Sequence, residues 1–146
     1  MKNSGLRRRD FLKTTAGAAA AITIIPSHVM GKSLGHVAPS DKLNIAGVGI
    51  GGKGRVNLKA MSTENIVALC DVDCKYAQEC FEDFPSAKRY WDWRLMLEEM
   101  GDDIDAVMIA TSDHTHAAIA ATAIKMGKHV YCQKPLTHSV YESRLL

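Results

Sequence analysis

Three sets of residues have types and spacings that could do chemistry. The first is Gly49-Ile50-Gly51-Gly52-Lys53-Gly54, a G-x-G-x-x-G string. In such a turn backbone N–H groups approach an anion where side chains would otherwise stand, which is how a pyrophosphate is held at the start of a helix. Gly49 would permit the tight turn, Gly51 the close approach of phosphate, and Gly54 the packing of helix on strand. Gly47-Val48-Gly49-Ile50-Gly51-Gly52 offers a second register; it would cut the preceding strand short, so strand length favours the later one. The second is Asp71, 22 residues after Gly49. A carboxylate there accepts from both hydroxyls of an adenosine ribose and repels a 2′-phosphate, favouring NAD, while Lys75 nearby leaves NADP open. An exposed aspartate capping the next helix is the plainer use, and Asp73 suits it better. The third is His114 and His116, an H-x-H pair with no third ligand in view, so simple helix capping outweighs metal binding and no metal is expected.

The elements that must position these groups follow from the hydrophobic pattern. Short apolar runs alternate with longer amphipathic ones, the signature of βαβ units and a doubly wound α/β sheet with helices on both faces. Strands are predicted at Leu43 to Val48, Ile66 to Cys70, Arg89 to Trp91, Ile104 to Ala110 and His129 to Cys132. Helices are predicted from about Arg55 to Met61 and from Cys74 to Phe84, closed by Pro85. A third is capped by Asp92 with Leu95, Met96 and Met100 inward, and a fourth is alanine-rich and ended by Gly127 as a C′ residue. Ser139-Val140-Tyr141-Glu142 matches a capping box, so another helix starts where the sequence stops. The expectation is therefore a sheet and a second domain that continue beyond these residues.

The chain has 146 residues, 47% hydrophobic and 23% charged, with a net charge of +2. That is the range of one globular domain, near neutral once Arg7, Arg8 and Arg9 are set aside, and nothing points to a nucleic-acid partner. Residues 1–40 read as a signal and linker. Arg8-Arg9-Asp10-Phe11-Leu12-Lys13, followed by the apolar run Thr14 to Ile25, resembles a twin-arginine export signal, with Arg7 where Ser or Thr is commoner. The alternative is a basic tail before a short buried helix. The expected location is thus outside the cytoplasm, reached through an export translocase, with the N-terminus as a tether if no cleavage occurs. Four cysteines in an exported chain raise the question of disulfides. Cys74 and Cys80 fall six apart on one predicted helix, ~9 Å by helical rise, beyond bridging reach. Cys70 and Cys132 end strands that the expected order separates, so free thiols are expected.

Residues 49–54, Cys70-Asp71-Val72-Asp73, Thr111-Ser112-Asp113-His114-Thr115-His116 and Gly127-Lys128-His129-Val130-Tyr131-Cys132-Gln133-Lys134-Pro135-Leu136 together resemble the glucose/fructose oxidoreductase, inositol dehydrogenase and MocA (Gfo/Idh/MocA) family. The likeness runs from about Lys42 to the last residue. It implies a Rossmann-type fold and an NAD(P)-dependent oxidoreductase that moves hydride between nicotinamide and a hydroxyl-bearing carbon of a sugar or polyol. The family's Thr-Pro-x-x-x-His motif lines the cofactor; Thr111 and His116 fit it, and Ser112 stands where proline is usual. Its Glu-Lys-Pro motif is implied at Gln133-Lys134-Pro135, which makes Lys134 the expected catalytic residue, placed to stabilise developing charge on the reacting oxygen. Gln133 keeps an acceptor for a ribose hydroxyl but loses the carboxylate charge beside Lys134. Most substrate contacts, a general base and any homo-oligomer contact would come from a C-terminal α/β domain. Two alternatives accompany this reading: some members retain the cofactor and cleave glycosides by transient oxidation, and a chain of this length could bind nucleotide without turning anything over.

Overall fold

In a strand covered on both faces, alternate residues enter different cores. Strand β1 (Asn44–Val48) does so with Ile45 on one side and Ala46 and Val48 on the other. Strands β2 (Asn65–Cys70) and β4 (Ala106–Ile109) split alike: Leu69 and Met108 join Ile45, while Ala68, Cys70, Val107 and Ile109 join Ala46. With β3 (Lys88–Tyr90) and β5 (His129–Cys132) they form one sheet in the order β3-β2-β1-β4-β5, and every pairing is parallel. The computed structural model describes residues 41–146; the signal and linker expected at residues 1–40 lie outside the described residues.

Helices cover the two faces in separate sets. Leu58 of α1 (Lys53–Ala60) and Cys80 and Phe81 of α2 (Gln78–Asp83) pack with Ile45 and Leu69. Met96, Leu97 and Met100 of α3 (Trp93–Met100), with Ile119, Ala120 and Ala123 of α4 (Asp113–Lys125), pack on the opposite face. This is the doubly wound, three-layer α/β architecture that the alternating pattern predicts, with the order reversing between β1 and β4. Lys128 N–H bonds to Ala123 O at 3.0 Å and Gly127 N–H to Ile124 O at 2.9 Å, the Schellman arrangement expected at Gly127. A short helix α5 (Val140–Leu145) follows β5 and opens on the capping box between Ser139 and Glu142.

Three local expectations need correction. The second helix starts at Gln78, not Cys74, because the Asp73 carboxylate accepts from the N–H groups of Lys75 and Tyr76 at 3.0 Å and holds residues 74–77 as a turn. Leu95 is 39% exposed, and Leu97 fills the inward position. The first helix begins two residues early, at Lys53.

The thiols are all free, and their surroundings separate them. Burial pushes Cys70 up to about 12, helped by the charges of Asp71 and Asp92, and pushes Cys80 up to about 11 with Asp83 adding to it. Cys74 is exposed. In native protein at pH 8, iodoacetamide is expected to modify Cys74 first by mass spectrometry, with Cys70 and Cys80 reacting only after denaturation. Because the folded state disfavours these thiolates, their contribution to stability holds below the ordinary thiol range and is lost as pH rises through 9 towards 11 and 12. Equal labelling rates for Cys74 and Cys80 would contradict this packing.

Candidate functional site

In a parallel sheet all carboxyl ends lie at one edge, so the loops after β1, β2, β4 and β5 meet there. Each is tied to its neighbour by a last rung: Gly49 N–H to Cys70 O at 2.9 Å, Ala110 N–H to Val48 O at 2.9 Å, Gln133 N–H to Ile109 O at 2.9 Å. The glycine turn, Asp71, Thr111-Ser112 and Gln133-Lys134 are thereby set along one line.

The turn after β1 closes on itself too tightly for side chains. Gly49 has φ 75°, a conformation that L side chains rarely adopt, and a Cβ there would stand 2.6 Å from Thr111 N. A Cβ on Gly54 would stand 1.9 Å from Gly49 O. These are the tight turn and the close helix–strand approach expected of those two glycines. Helix α1 begins after Gly52 without a side-chain cap, and in its first turn Gly54 N–H bonds back to Gly51 O at 3.0 Å.

Asp71 leaves the end of β2 and turns towards the amides of the glycine turn that precede α1. Its Oδ2 accepts from Ile50 N–H at 2.8 Å and Gly51 N–H at 3.1 Å, and its Oδ1 accepts from Asp73 N–H at 3.0 Å. The carboxylate thus braces the turn and keeps lone pairs for a ribose hydroxyl. A cleft of about 910 Å³ opens over it, lined by Gly49, Gly51, Lys53 and Asp71 on one side and by Thr111 and Ser112 on the other.

His116 is 1% exposed. Its Nδ1 lies 2.7 Å from the Pro135 carbonyl oxygen and its Nε2 3.0 Å from that of Thr111, so the ring spans the loops after β4 and β5. Its role is to hold backbone rather than to face the cleft. His114 is exposed on the cleft wall, and among the described residues no cluster of ligands could hold a metal ion. Gln133 is half-buried, and its Oε1 accepts from Lys134 N–H at 3.1 Å, which leaves one of its two lone pairs for a further donor. Lys134 and Pro135 are exposed at the same sheet edge, past β4, outside the lining of the cleft.

Some cleft residues escape the sequence reading. Trp93 and Arg94 at the start of α3 stand on the wall near Asp71, the guanidinium 4.4 Å from the Trp93 ring centroid. Tyr76 lies over Gly51 and Gly52: a Cβ at Gly51 would meet its ring at 2.1 Å and one at Gly52 its hydroxyl at 2.3 Å. At Gly52 the positive φ of 49° itself favours glycine, whereas at Gly51 the neighbour is this exposed ring, which can swing aside.

A glycine turn opening a helix, an acidic residue ending the next strand and a crevice where the strand order reverses define a dinucleotide-binding domain of the Rossmann type. Residues 42–146 match the family model described as the oxidoreductase family, NAD-binding Rossmann fold (GFO_IDH_MocA). The chain belongs to the Gfo/Idh/MocA oxidoreductase family, of which it carries the NAD-binding Rossmann domain. It is 32% identical to an inositol 2-dehydrogenase of Salmonella paratyphi B over 98 residues, covering 65% of this chain and 29% of that protein. A glycosyl hydrolase family 109 protein of Shewanella pealeana is 28% identical over 160 residues, covering 94% of this chain and 35% of that protein. The myo-inositol dehydrogenase of Lactobacillus casei, solved with NAD(H) and myo-inositol, superposes with a TM-score of 0.64 at 26% identity, covering 71% of this chain and 32% of that one. The chain thus spans about a third of the length of these relatives.

Proposed function

We propose that this chain is the cofactor-binding part of an NAD-dependent oxidoreductase acting on a hydroxyl-bearing carbon of a sugar or polyol. The observation that carries the reading is the junction of Gly49, Gly54 and Asp71: a turn too tight for side chains, an uncapped helix start and a carboxylate on one cleft. These features fit a dinucleotide, since a Cβ at either glycine would collide with backbone and force apart the turn that forms the cradle. The bound nicotinamide supplies the hydride acceptor or donor; the protein's task is to bind, orient and stabilise charge. The turn from Gly49 to Gly54, with Ile50, Gly52 and Lys53, takes the pyrophosphate, and Asp71 takes the ribose hydroxyls. Thr111 and Ser112 line the cofactor, His116 and Pro135 fix the loops, and Gln133 holds the backbone from which Lys134 reaches the reacting oxygen. Relatives named for inositol support the substrate class.

Titration of the chain with NAD and NADP tests this directly. The wild type is expected to favour NAD. Asp71→Ala removes an acceptor from three backbone N–H groups and from the ribose, so NAD affinity is expected to fall at least about tenfold and the preference over NADP to shrink. An unchanged NAD affinity in Asp71→Ala, or no binding of either nucleotide by the wild type, would defeat the reading.

A second reading is favoured by the family 109 glycosyl hydrolase relatives, whose alignments cover 94% and 92% of this chain. There, oxidation and reduction would cancel within one turnover, and the cofactor would stay bound. The export-type segment at Arg8-Arg9 adds weight, because a folded, loaded domain can be exported with its cofactor. NAD retained through purification, with substrate consumed and no net change in nicotinamide absorbance, distinguishes it from a dehydrogenase.

A further inference from the structure

Tyr76 has a position that burial does not explain. It is 67% exposed, yet its ring rests on Gly51 and Gly52 closely enough that a methyl group at either would collide with it. Its backbone, from which the ring extends, is held by a relay of hydrogen bonds from the cofactor cleft. Asp71 braces the turn with one carboxylate oxygen and accepts from Asp73 N–H with the other. Asp73 in turn accepts from the N–H of Tyr76 at 3.0 Å. The glycine turn and the base of Tyr76 are thus one unit, joined through the carboxylate that the cofactor reading assigns to the ribose.

The hydroxyl at the end of this ring lies over Gly52, the residue from which α1 starts. That is where helix amides and the positive end of the peptide dipoles favour an anion. Among the described residues the Tyr76 hydroxyl makes no hydrogen bond within the protein, so its donor is available on the cleft side, where Tyr76 stands in the wall with Gly51 and Lys53. We propose that Tyr76 is a phosphate-recognition residue: its hydroxyl, placed at Gly52, donates to a pyrophosphate oxygen of the dinucleotide held at the start of α1. This inference rests on the NAD reading above and adds to it a residue that no glycine or acidic motif contains.

The test compares the wild-type chain with Tyr76→Phe, which keeps the ring, and Tyr76→Ala, which removes it. NAD affinity is measured by calorimetry, and the phosphorus resonances of bound NAD are followed by NMR. Tyr76→Phe is expected to weaken NAD about tenfold, the effect of losing one hydrogen bond to a charged acceptor, and to move the phosphorus resonances. Tyr76→Ala is expected to weaken it at least as much. Both side-chain changes are at an exposed position, and thermal unfolding confirms that the variants fold. Equal NAD affinity in wild type and Tyr76→Phe overturns the proposal, as does weaker binding with unmoved phosphorus resonances. Tighter binding by Tyr76→Ala overturns it too, since the ring would then obstruct the turn. A wild-type chain that fails to bind NAD overturns the cofactor reading itself, which separates the two failures.

Discussion

Gly54→Ala is expected to cost about 3 kcal/mol or more, because overpacking against atoms that cannot rotate away lies at the upper end of such penalties. The added Cβ would stand 1.9 Å from Gly49 O, 2.9 Å from Gly49 C and 3.4 Å from the Ala110 Cβ. Two of these three are backbone atoms of the turn itself, so relief requires α1 to back away from β1. That motion would open the cradle and abolish NAD binding. For a domain of this size the loss corresponds to roughly 12–24 °C in Tm. Gly127→Ala is the control, since Gly127 shares the left-handed φ of 75° with Gly49 but a Cβ there meets nothing within 4 Å. Its expected cost is about 1 kcal/mol, from the backbone conformation alone. Thermal unfolding of both variants, with NAD titration of each, decides the matter; similar Tm values for the two would mean that the contact at Gly54 is not as described.

Replacing the proposed catalytic lysine should leave binding intact and stop turnover. In a protein joining this domain to a substrate-binding domain, Lys134→Met is expected to lower kcat about 10²–10⁴-fold, the usual contribution of a positioned proton-transfer group. NAD affinity should change little, because the side chain is exposed and outside the cleft lined by Gly49, Asp71 and Thr111. The backbone on either side is held without the ammonium: Gln133 N–H by Ile109 O, Lys134 N–H by Gln133 Oε1, and Pro135 O by the His116 ring. Methionine keeps the length and apolar stem, so folding is expected to be unaffected. Single-turnover measurement of nicotinamide absorbance separates the chemical step from binding. A kcat within about threefold of wild type would remove Lys134 from the chemistry.

The sheet was legible in the sequence because fully covered parallel strands appear as short apolar runs with a turn signal at each end. Gly49, Gly54 and Asp71 could be read for the same reason: their spacing belongs to one strand–turn–helix–strand unit. Where the reading failed, longer-range or competing interactions decided the outcome. The apolar pattern from Ala77 to Phe84 has helical spacing, but the Asp73 side chain captures two amides and delays the helix to Gln78. Leu95, Met96 and Leu97 are consecutive, and only docking on the face shared by Ala46 and Ala68 selects the last two. Tyr76 lies 25 residues from Gly51 in a segment without periodicity, so nothing local marks its place over the turn. The bond from Lys134 N–H to the Gln133 amide oxygen is likewise set by the local backbone and carries no sequence signal.

The imidazole between the Thr111 and Pro135 carbonyls bears on how Lys134 searches for its target. A lysine on a wandering loop samples a volume; one on an anchored peptide sweeps only the arc that four methylenes allow from a fixed pivot. Confining the ammonium to that shell before any encounter leaves fewer arrangements to be frozen out at the moment of reaction. In the proposed reaction His116 would thus serve as the fulcrum by fixing the peptide that carries Lys134.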